Sequence, residues 1–344
     1  MTKQQARQLT TAMPKSKNVC IYSSDRNLEA QIIKNICSDD MFVKEYGICS
    51  MNSINFVRIA SQICYYFWIY LQFIKSKKWN ISSTDTVNTH YIDIAVPSGA
   101  FGNSCSAAFA KAMGLPIRHI IPCANSNDIV HRTLQHGDFS SILKDYRITK
   151  APAMDIQIPY NLERFYWLCF HGDTDLIKSI MSEFEGYHGD SNDFKYQFSD
   201  RMRAEFRRFI ERSYCVNDEV IGEFIPFLLR TYQHVTGPHG CCSIYGAMKT
   251  KEEINDDVPM IAVLTAHPAK FPEIIRGFTG RGDNAIEQRE LNKALSHRFL
   301  PGDDEKEECI RLNSNGVDDW IKVWSQRIKG DIIRMNSSTM LSKL

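Results

Sequence analysis

The chain has 344 residues, of which 43% are hydrophobic and 24% are charged, and its formal net charge at pH 7 is +1. This length supplies enough apolar side chains for a packed core and one or two domains, in the proportions of an ordinary soluble protein. The charge balance gives no electrostatic basis for binding nucleic acid or a membrane surface, so neither is expected as a partner. The eleven cysteines are odd in number and lack zinc-ligand spacing, which indicates a reducing cytoplasmic compartment and no metal site.

The N-terminal segment lacks the apolar stretch of a secretory signal. It is basic and carries no acidic residue before Asp25. Two interpretations therefore stay open: the segment is a mitochondrial presequence, or it already belongs to the fold. Asn18–Tyr22 has the pattern of a strand, and Leu28–Ile36 has that of an amphipathic helix. Ile59–Ile74 is the longest apolar stretch, but it is short for a membrane span and contains two glutamines, which favours a buried helix.

A long helix is predicted over Asn52–Ile74, because Asn52 and Ser53 are both residue types that cap helix N-termini. Asn52, Ser53 and Asn55 have two interpretations. They are helix-capping residues alone, or they also contact a ligand in a neighbouring cleft.

The next segment has the pattern of a strand, a glycine-containing loop, a helix and a second strand. Tyr91–Val96 and Arg118–Cys123 are apolar runs typical of buried parallel strands. Gly99 and Gly102 mark the loop, and a helix is predicted over Ser104–Met113. The dipole and N-terminal amides of this helix would attract an anion, so the loop is either a phosphate site or a turn whose glycines serve only the backbone. The alternation of strand and helix predicts an α/β fold with a parallel sheet flanked by helices.

Downstream, helices are predicted over Asn161–Met181, Met202–Glu211, Val220–Val235 and Val317–Met335, and a last core strand over Met260–Thr265. The second of these helices carries a basic face balanced by glutamates, which is typical of a solvated surface. Parallel sheets bind ligands at the carboxyl ends of their strands, so a site residue is also expected where the last strand ends.

His239, Cys241 and Cys242 form the one local cluster of metal-ligand residue types. No second cluster has the spacing that would complete a zinc site. These three side chains are therefore expected to pack in the core.

Seven short motifs occur along the chain in a fixed order. They are Asn52–Arg58, Gly99–Asn103, Ala124–Arg132, Gly137–Phe139, Met154–Gln157, Asn161–Arg164 and Thr265–Glu273. Taken together and in this order, they resemble the threonine synthase family, most of all its animal threonine synthase-like branch. The resemblance extends over most of the chain and implies a pyridoxal-phosphate-dependent protein with the tryptophan-synthase-β type of fold, known as fold type II.

The resemblance also implies roles for particular residues. The backbone amides of Gly99, Ala100, Phe101 and Gly102, with Asn103, would hold the cofactor phosphate. Ala100 stands where the family has an asparagine, and the lost hydrogen bond would weaken this grip by roughly 1 kcal/mol. Thr265 matches the threonine that faces the pyridine nitrogen of the cofactor. In the family, the helix that carries Asn52, Ser53 and Asn55 starts close to the active-site cleft.

The family's Schiff-base lysine, in a Phe-Lys-Asp context, and its Ser-Gly-Asp-Thr-Gly loop for the substrate carboxylate have no counterpart in the sequence. Neither Lys270 nor Lys111 is expected to replace that lysine, and Lys111 is predicted to be a solvated helix residue. No catalytic residue is therefore identified, and the chain is expected to correspond to about the C-terminal two-thirds of a family protein and to be inactive by itself.

On this basis residues 1–48 are expected to be the remnant of a small Rossmann-like domain. Residues 49–280 would form the cofactor-binding large domain, with a helical insertion at about 160–235, and residues 281–344 would form a C-terminal extension. A partial small domain would leave a sheet edge exposed, which favours self-association.

The resemblance implies a phospho-lyase that acts on O-phosphohomoserine or a related small phosphorylated amino acid and yields a 2-oxo acid, ammonia and phosphate. The alternative is a catalytically inactive truncated form that acts as a binding or secreted, signalling-type protein.

Overall fold

The fold is described from a computed structural model of the chain. The structure describes residues 32–33, 35–49, 52–77, 90–140, 146–185, 195–296, 322–323 and 325–334. They belong to two compact units, Met1–Met51 with His297–Leu344, and Asn52–Ser296. The predicted strand Asn18–Tyr22 and part of the predicted helix Leu28–Ile36 lie outside the described residues.

In the first unit, residues 32–33 and 35–37 are helical, helix α1 spans Asp40–Tyr46, and a second segment of the unit, residues 325–334, is also helical. The carboxylate of Asp39 caps α1 by accepting from the Phe42 amide at 3.0 Å. Ile328 and Ile332 of the second segment pack against a small core that includes Phe42. The C-terminal helical segment therefore packs with residues of the N-terminal part of the chain.

The second unit is built on a parallel sheet. Its strands are β1 (Ile92–Pro97), β2 (Ile117–Ala124), β3 (Tyr214–Cys215) and β4 (Met260–Ala262), in the order β3-β2-β1-β4. Ile94 of β1 pairs with Ile120 on one side and Ile261 on the other. The predicted α/β class with a parallel sheet flanked by helices is confirmed.

Helices connect and cover these strands. They are α2 (Phe56–Lys77), α3 (Gly102–Ala112), α4 (Ile129–His136), α5 (Leu162–Cys169), α6 (Thr174–Glu185), α7 (Asp200–Arg207), α8 (Asp218–Tyr232), α9 (Pro238–Ile254), α10 (Pro272–Thr279) and α11 (Ala285–Leu295). None of the helices in the described ranges combines the length and the hydropathy needed to cross a bilayer. The apolar stretch in α2 instead buries one face, on which Ile59, Tyr66 and Tyr70 lie.

The sheet separates two hydrophobic cores because neighbouring side chains of a strand point to opposite faces. Ile94 and Val96 of β1 belong to the core that contains α2, α3, α5, α6 and α7 residues. Ala95, which lies between them, belongs to the core that contains α8, α9, α10 and α11 residues. Helices therefore cover both faces of the sheet, and the strand ends remain as the place where a cleft can open.

An ion pair fixes the amino end of the sheet. Asp93 of β1 is fully buried and accepts from the Arg118 Nε atom at 3.0 Å and from the His119 amide at 3.0 Å. Arg118 also contacts Asp256, whose pKa it holds well below the ordinary range. A buried carboxylate of this kind must keep its cation, which ties β1, β2 and the approach to β4 together.

Several predicted helices have different bounds in the structure, and two of them show why. The helix predicted over Asn52–Ile74 begins only at Phe56, because the residues before it form turns. The helix predicted over Asn161–Met181 is two helices, α5 and α6. His171 and Gly172 separate them with φ values of 54° and 80°, and these left-handed conformations end the first helix.

Candidate functional site

A cleft of about 890 Å³ opens at the carboxyl ends of β1 and β4. This is the edge at which parallel sheets bind ligands, and the volume suits a small molecule. The cleft is lined by Asn52, Ser53, Arg58, Gln62, Tyr65, Ile69, Pro97, Ser98, Gly99, Ala100, Phe101, Gly102, Asn103, Ala153, Ile156, Tyr160, Ile261, Ala262, Val263, Leu264 and Thr265.

Most of the residues singled out from the sequence lie together in this cleft. The lining includes all five residues of the glycine loop, Gly99–Asn103, together with Thr265, Asn52 and Ser53. Asn55 is not among the lining residues. Its Oδ1 atom accepts from the Val57 amide at 3.0 Å in the first turn of α2, which is the geometry of a helix cap.

The glycine loop leads directly into α3. Phe101, the residue before the helix, has a left-handed φ of 67° and provides no side-chain cap, while its ring is buried and packs on Phe165 at 5.3 Å. The first amides of α3, from Gly102 onward, therefore have no capping side chain at the cleft. A helix N-terminus in this state offers backbone N–H donors and the positive end of the dipole to an anion.

Gly99 is required by the close packing of the loop. A Cβ atom built on Gly99 would lie 2.8 Å from the Cα atom of Met154 and 3.1 Å from the carbonyl oxygen of Ala153. These are backbone atoms, which cannot move aside as a flexible side chain can. The loop and the segment Ala151–Ile156 are therefore in direct backbone contact.

Two tyrosines orient Asn103. The hydroxyls of Tyr65 and Tyr66 both donate to its Oδ1 atom, the second at 2.6 Å. Burial raises the pKa of Tyr65 to about 12 and that of Tyr66 well above its ordinary value, so both hydroxyls stay protonated donors. With its oxygen bonded in this way, Asn103 has its Nδ2 amide left to donate to a ligand.

Asn161 and Arg164 join the glycine loop to the start of α2. Asn161 is fully buried, and its Nδ2 atom donates to the carbonyl oxygen of Ala100 at 2.9 Å and to the Ser53 hydroxyl at 3.0 Å. Arg164 donates to Asn161 Oδ1 at 2.6 Å and to the carbonyl oxygens of Ser53 and Ile54 at 2.9 and 2.5 Å. The sequence predicts no role for the motif Asn161–Arg164 beyond its part in the family resemblance. Its three-residue spacing at a helix start was the available signal, since that spacing places both side chains on one face.

Ser53 has a structural role that mutation can measure. We expect Ser53→Ala to lower the free energy of unfolding by about 1 kcal/mol, because the amide of Asn161 loses an acceptor in a partly buried setting. Urea denaturation would measure this change. Ser61→Ala removes an exposed hydroxyl that bonds only its own helix carbonyl, and it should change stability by less than about 0.5 kcal/mol. Equal effects of the two substitutions would contradict the assigned role.

The electrostatic character of the cleft is set by one cation. Arg58, in the first turn of α2, is the one charged side chain among the described residues of the lining. The N-terminus of α3 adds the positive end of its dipole. The cleft therefore favours an anionic ligand. Thr265 is exposed three residues beyond the end of β4, and it offers a neutral hydroxyl in the same cleft.

The described lining contains no lysine. Lys111 lies on α3, where its Nζ atom donates to the carbonyl oxygen of Arg118 at 2.7 Å and burial lowers its pKa. It is thus partly buried rather than solvated as predicted. Lys270 ends a short 3-10 turn, Pro268–Lys270, beyond Thr265, and it is not part of the lining.

Comparison with known proteins gives relatives of one family. The model for the C-terminal domain of threonine synthase matches residues 242–321. Threonine synthase-like 2 of Xenopus laevis is 32% identical over 307 residues, which are 88% of this chain and 60% of that protein. Threonine synthase-like 2 of Homo sapiens is 31% identical over 279 residues, which are 80% of this chain and 53% of that protein. The chain thus spans a little over half the length of these curated relatives.

Solved structures give the same result for the fold. The yeast threonine synthase structure superposes on this chain with a TM-score of 0.71 at 25% sequence identity. The match covers 97% of this chain and 63% of the yeast protein chain. A PLP-bound threonine synthase from Brucella melitensis superposes with a TM-score of 0.67 at 23% identity and covers 90% of this chain and 58% of that one. We conclude that the chain is a relative of the threonine synthase family, whose fold it shares.

Proposed function

We propose that the cleft binds pyridoxal 5'-phosphate and that the chain supplies the cofactor-phosphate site of a threonine synthase-like phospho-lyase. The substrate would be O-phosphohomoserine or a related phosphorylated amino acid, and the products a 2-oxo acid, ammonia and phosphate. The observation that carries this proposal is the uncapped N-terminus of α3, which follows the glycine loop inside a cleft at the strand ends. The relatives of the chain support the same assignment.

The residues present fit this cofactor. A phosphate would be held by the amides of the loop Gly99–Gly102 and by the Asn103 amide, with the charge of Arg58 nearby. Thr265 would offer the pyridine nitrogen a neutral hydroxyl, which would leave that nitrogen without a proton. When bound, the cofactor supplies an electron sink for the carbon that loses a proton.

One observation favours a second candidate function. Because no lysine lies among the described residues of the lining, these residues alone would bind the cofactor without a covalent bond. The chain would then act as a binding protein that keeps the phosphate site and lacks the lyase reaction. The lyase would require a lysine from another part of the molecule.

Equilibrium dialysis of the full chain tests the proposal directly. Pyridoxal phosphate should bind at least about tenfold more tightly than pyridoxal, because only the former has the phosphate that the loop recognises. Inorganic phosphate should compete for the same site. Equal affinity for the two compounds, or binding that phosphate does not reduce, would contradict a phosphate site in this cleft.

Borohydride reduction separates the two candidate functions. If the chain is a binding protein, pyridoxal phosphate should still be removed by dialysis after borohydride treatment. If the chain takes part in the lyase reaction, borohydride should link pyridoxal phosphate covalently to a single lysine, which peptide mapping would locate. Trapping at Lys270 or Lys111 would also contradict the prediction that neither lysine replaces the Schiff-base lysine of the family.

Restoring an asparagine at Ala100 should strengthen the phosphate site. Ala100→Asn adds a donor within the glycine loop, and we expect affinity for pyridoxal phosphate to rise by about fivefold, the equivalent of one hydrogen bond of about 1 kcal/mol. Ala112→Asn makes the same change at the exposed end of α3, outside the cleft, and should leave the affinity unchanged. A similar gain in both variants would rule out a contact from position 100.

A further inference from the structure

One wall of the cleft depends on the segment Ala151–Ile156, which overlaps the motif Met154–Gln157 but to whose residues the sequence gives no role. Ala153 and Ile156 line the cleft, and the same segment lies in backbone contact with Gly99. The position of the glycine loop is therefore coupled to that of Ala153. Whatever fixes the Ala153 backbone also fixes the base of the candidate phosphate site.

His239 makes this connection. It lies in the first turn of α9 and is only 3% exposed, and its Nε2 atom accepts from the Ala153 amide at 3.1 Å. An Nε2 atom that accepts carries no hydrogen, so the hydrogen of the neutral ring is on Nδ1. That Nδ1 atom is buried and has no hydrogen-bond partner among the described residues. The bond from the Ala153 amide to Nε2 is therefore the hydrogen bond that fixes this ring among the described residues.

The next turn of the same helix contacts another wall of the cleft. The Ser243 hydroxyl donates to the carbonyl oxygen of Val263 at 2.9 Å, two residues before Thr265. A Cβ atom built on Gly240 would lie 3.0 Å from the Cδ2 atom of Leu264, so α9 packs closely on this wall. Helix α9 thus contacts both the Ala153 segment and the Thr265 segment.

We propose that His239 is a positioning residue of the cleft, which as a neutral imidazole holds Ala153 and, through it, the glycine loop in the geometry that binds phosphate. The effect on a ligand rests on the proposed function, whereas the bond to Ala153 does not. His239 itself does not line the cleft. Its contribution is therefore to geometry and not to ligand contact.

The surroundings of His239 keep its ring neutral. Burial and then the positive charge of Lys270, on the adjoining 3-10 turn, lower the pKa of His239 to about 4. Phe271 packs on the ring at 4.9 Å between centroids. Cys241 and Cys242, on the same helix, have pKa values that burial raises, to about 12 and well above the ordinary value, so both are neutral thiols. Among the described residues, Lys270 is thus the charged group that acts on the ring.

Two substitutions of His239 distinguish its role as a hydrogen-bond acceptor from its contribution to packing. In His239→Gln, the Oε1 atom can accept from Ala153 in place of Nε2, whereas His239→Leu fills the space without an acceptor. We expect amide hydrogen exchange at Ala153 to accelerate by about tenfold or more in His239→Leu and to stay within about twofold of wild type in His239→Gln. The affinity for pyridoxal phosphate should follow the same order. His131→Leu is the matched control, since it removes a half-buried histidine that bonds Ser213 away from the cleft.

The outcomes of this experiment are distinct. Unchanged exchange at Ala153 in His239→Leu, or equal losses in the leucine and glutamine variants, would overturn the positioning role. Protection of Ala153 in a wild-type chain that does not bind pyridoxal phosphate would instead refute the proposed function and leave the positioning role intact. If the leucine variant does not fold, nitrogen NMR of the wild-type imidazole decides the matter. The proposal requires the hydrogen on Nδ1, and a hydrogen on Nε2 would overturn it.

Discussion

Replacing Gly99 with alanine should lower the free energy of unfolding by about 2 to 3 kcal/mol and abolish measurable binding of pyridoxal phosphate. The added Cβ atom would lie 2.8 Å from the Met154 Cα atom, so the glycine loop or the Ala151–Ile156 segment must move. Overpacking against backbone costs about this much, because no side chain can rotate away. Urea denaturation would measure the stability, and equilibrium dialysis would measure the binding.

Gly277→Ala is the matched control for this substitution. Gly277 lies inside α10, and nothing lies within 4 Å of a Cβ atom built on it. The same chemical change should therefore raise stability by about 0.5 to 1 kcal/mol, because alanine loses less conformational freedom than glycine on forming a helix. Destabilisation of similar size in both variants would show that steric contact at Gly99 is not the cause.

The parts of the site that the sequence predicts are those formed by neighbouring residues. The glycine loop, its preceding strand and the following helix lie within one short stretch, and their pattern depends on local backbone preferences. Helix α3 nevertheless begins at Gly102, two residues before the predicted Ser104. The reason is that Phe101 takes up the left-handed conformation, which is uncommon for a bulky residue and has no local signal in the sequence.

The contacts that hold the loop in place could not be predicted, because they join residues far apart in the chain. Asn161 reaches Ala100 and Ser53, and His239 reaches Ala153 across 86 positions. From the sequence alone, such hydrogen-bonding side chains cannot be distinguished from residues that cap a helix or pack in the core. The sequence predicts only that His239 packs in the core, and it is buried. Its role as an acceptor requires the fold to bring the Ala153 amide to it.

The difference between local and long-range interactions also explains the bounds of α5 and α6. The periodic apolar pattern over Asn161–Met181 continues through the break between α5 and α6, because residues on both sides pack into one core. The break depends on positive φ values at His171 and Gly172. Glycine alone would have been compatible with a continuous helix, at a cost of about 1 kcal/mol relative to alanine. Tertiary packing, and not local preference, therefore decides this boundary.

Stability should depend on pH through His239 in a way that the glutamine variant lacks. The folded pKa of about 4 lies below the ordinary value of 6.5 that the unfolded chain has. Between these two values the unfolded state binds a proton that the folded state does not. The contribution of the neutral ring is therefore fully present above pH 6.5 and is lost as the pH falls toward 4. This difference in pKa corresponds to about 3 kcal/mol.

We therefore expect the wild-type chain to lose about 3 kcal/mol more stability than His239→Gln between pH 7 and pH 4. Chemical denaturation at a series of pH values would measure this, with the difference between the two proteins as the quantity of interest. His119 and His131, whose pKa values burial also lowers, are present in both proteins, so their contributions cancel. Because glutamine keeps the acceptor for Ala153 but does not titrate, the variant should be slightly less stable than wild type at pH 7 and clearly more stable than wild type at pH 4. Parallel pH profiles would mean that His239 is not buried as a neutral base, and the coupling from α9 through Ala153 to the glycine loop would lose its physical basis.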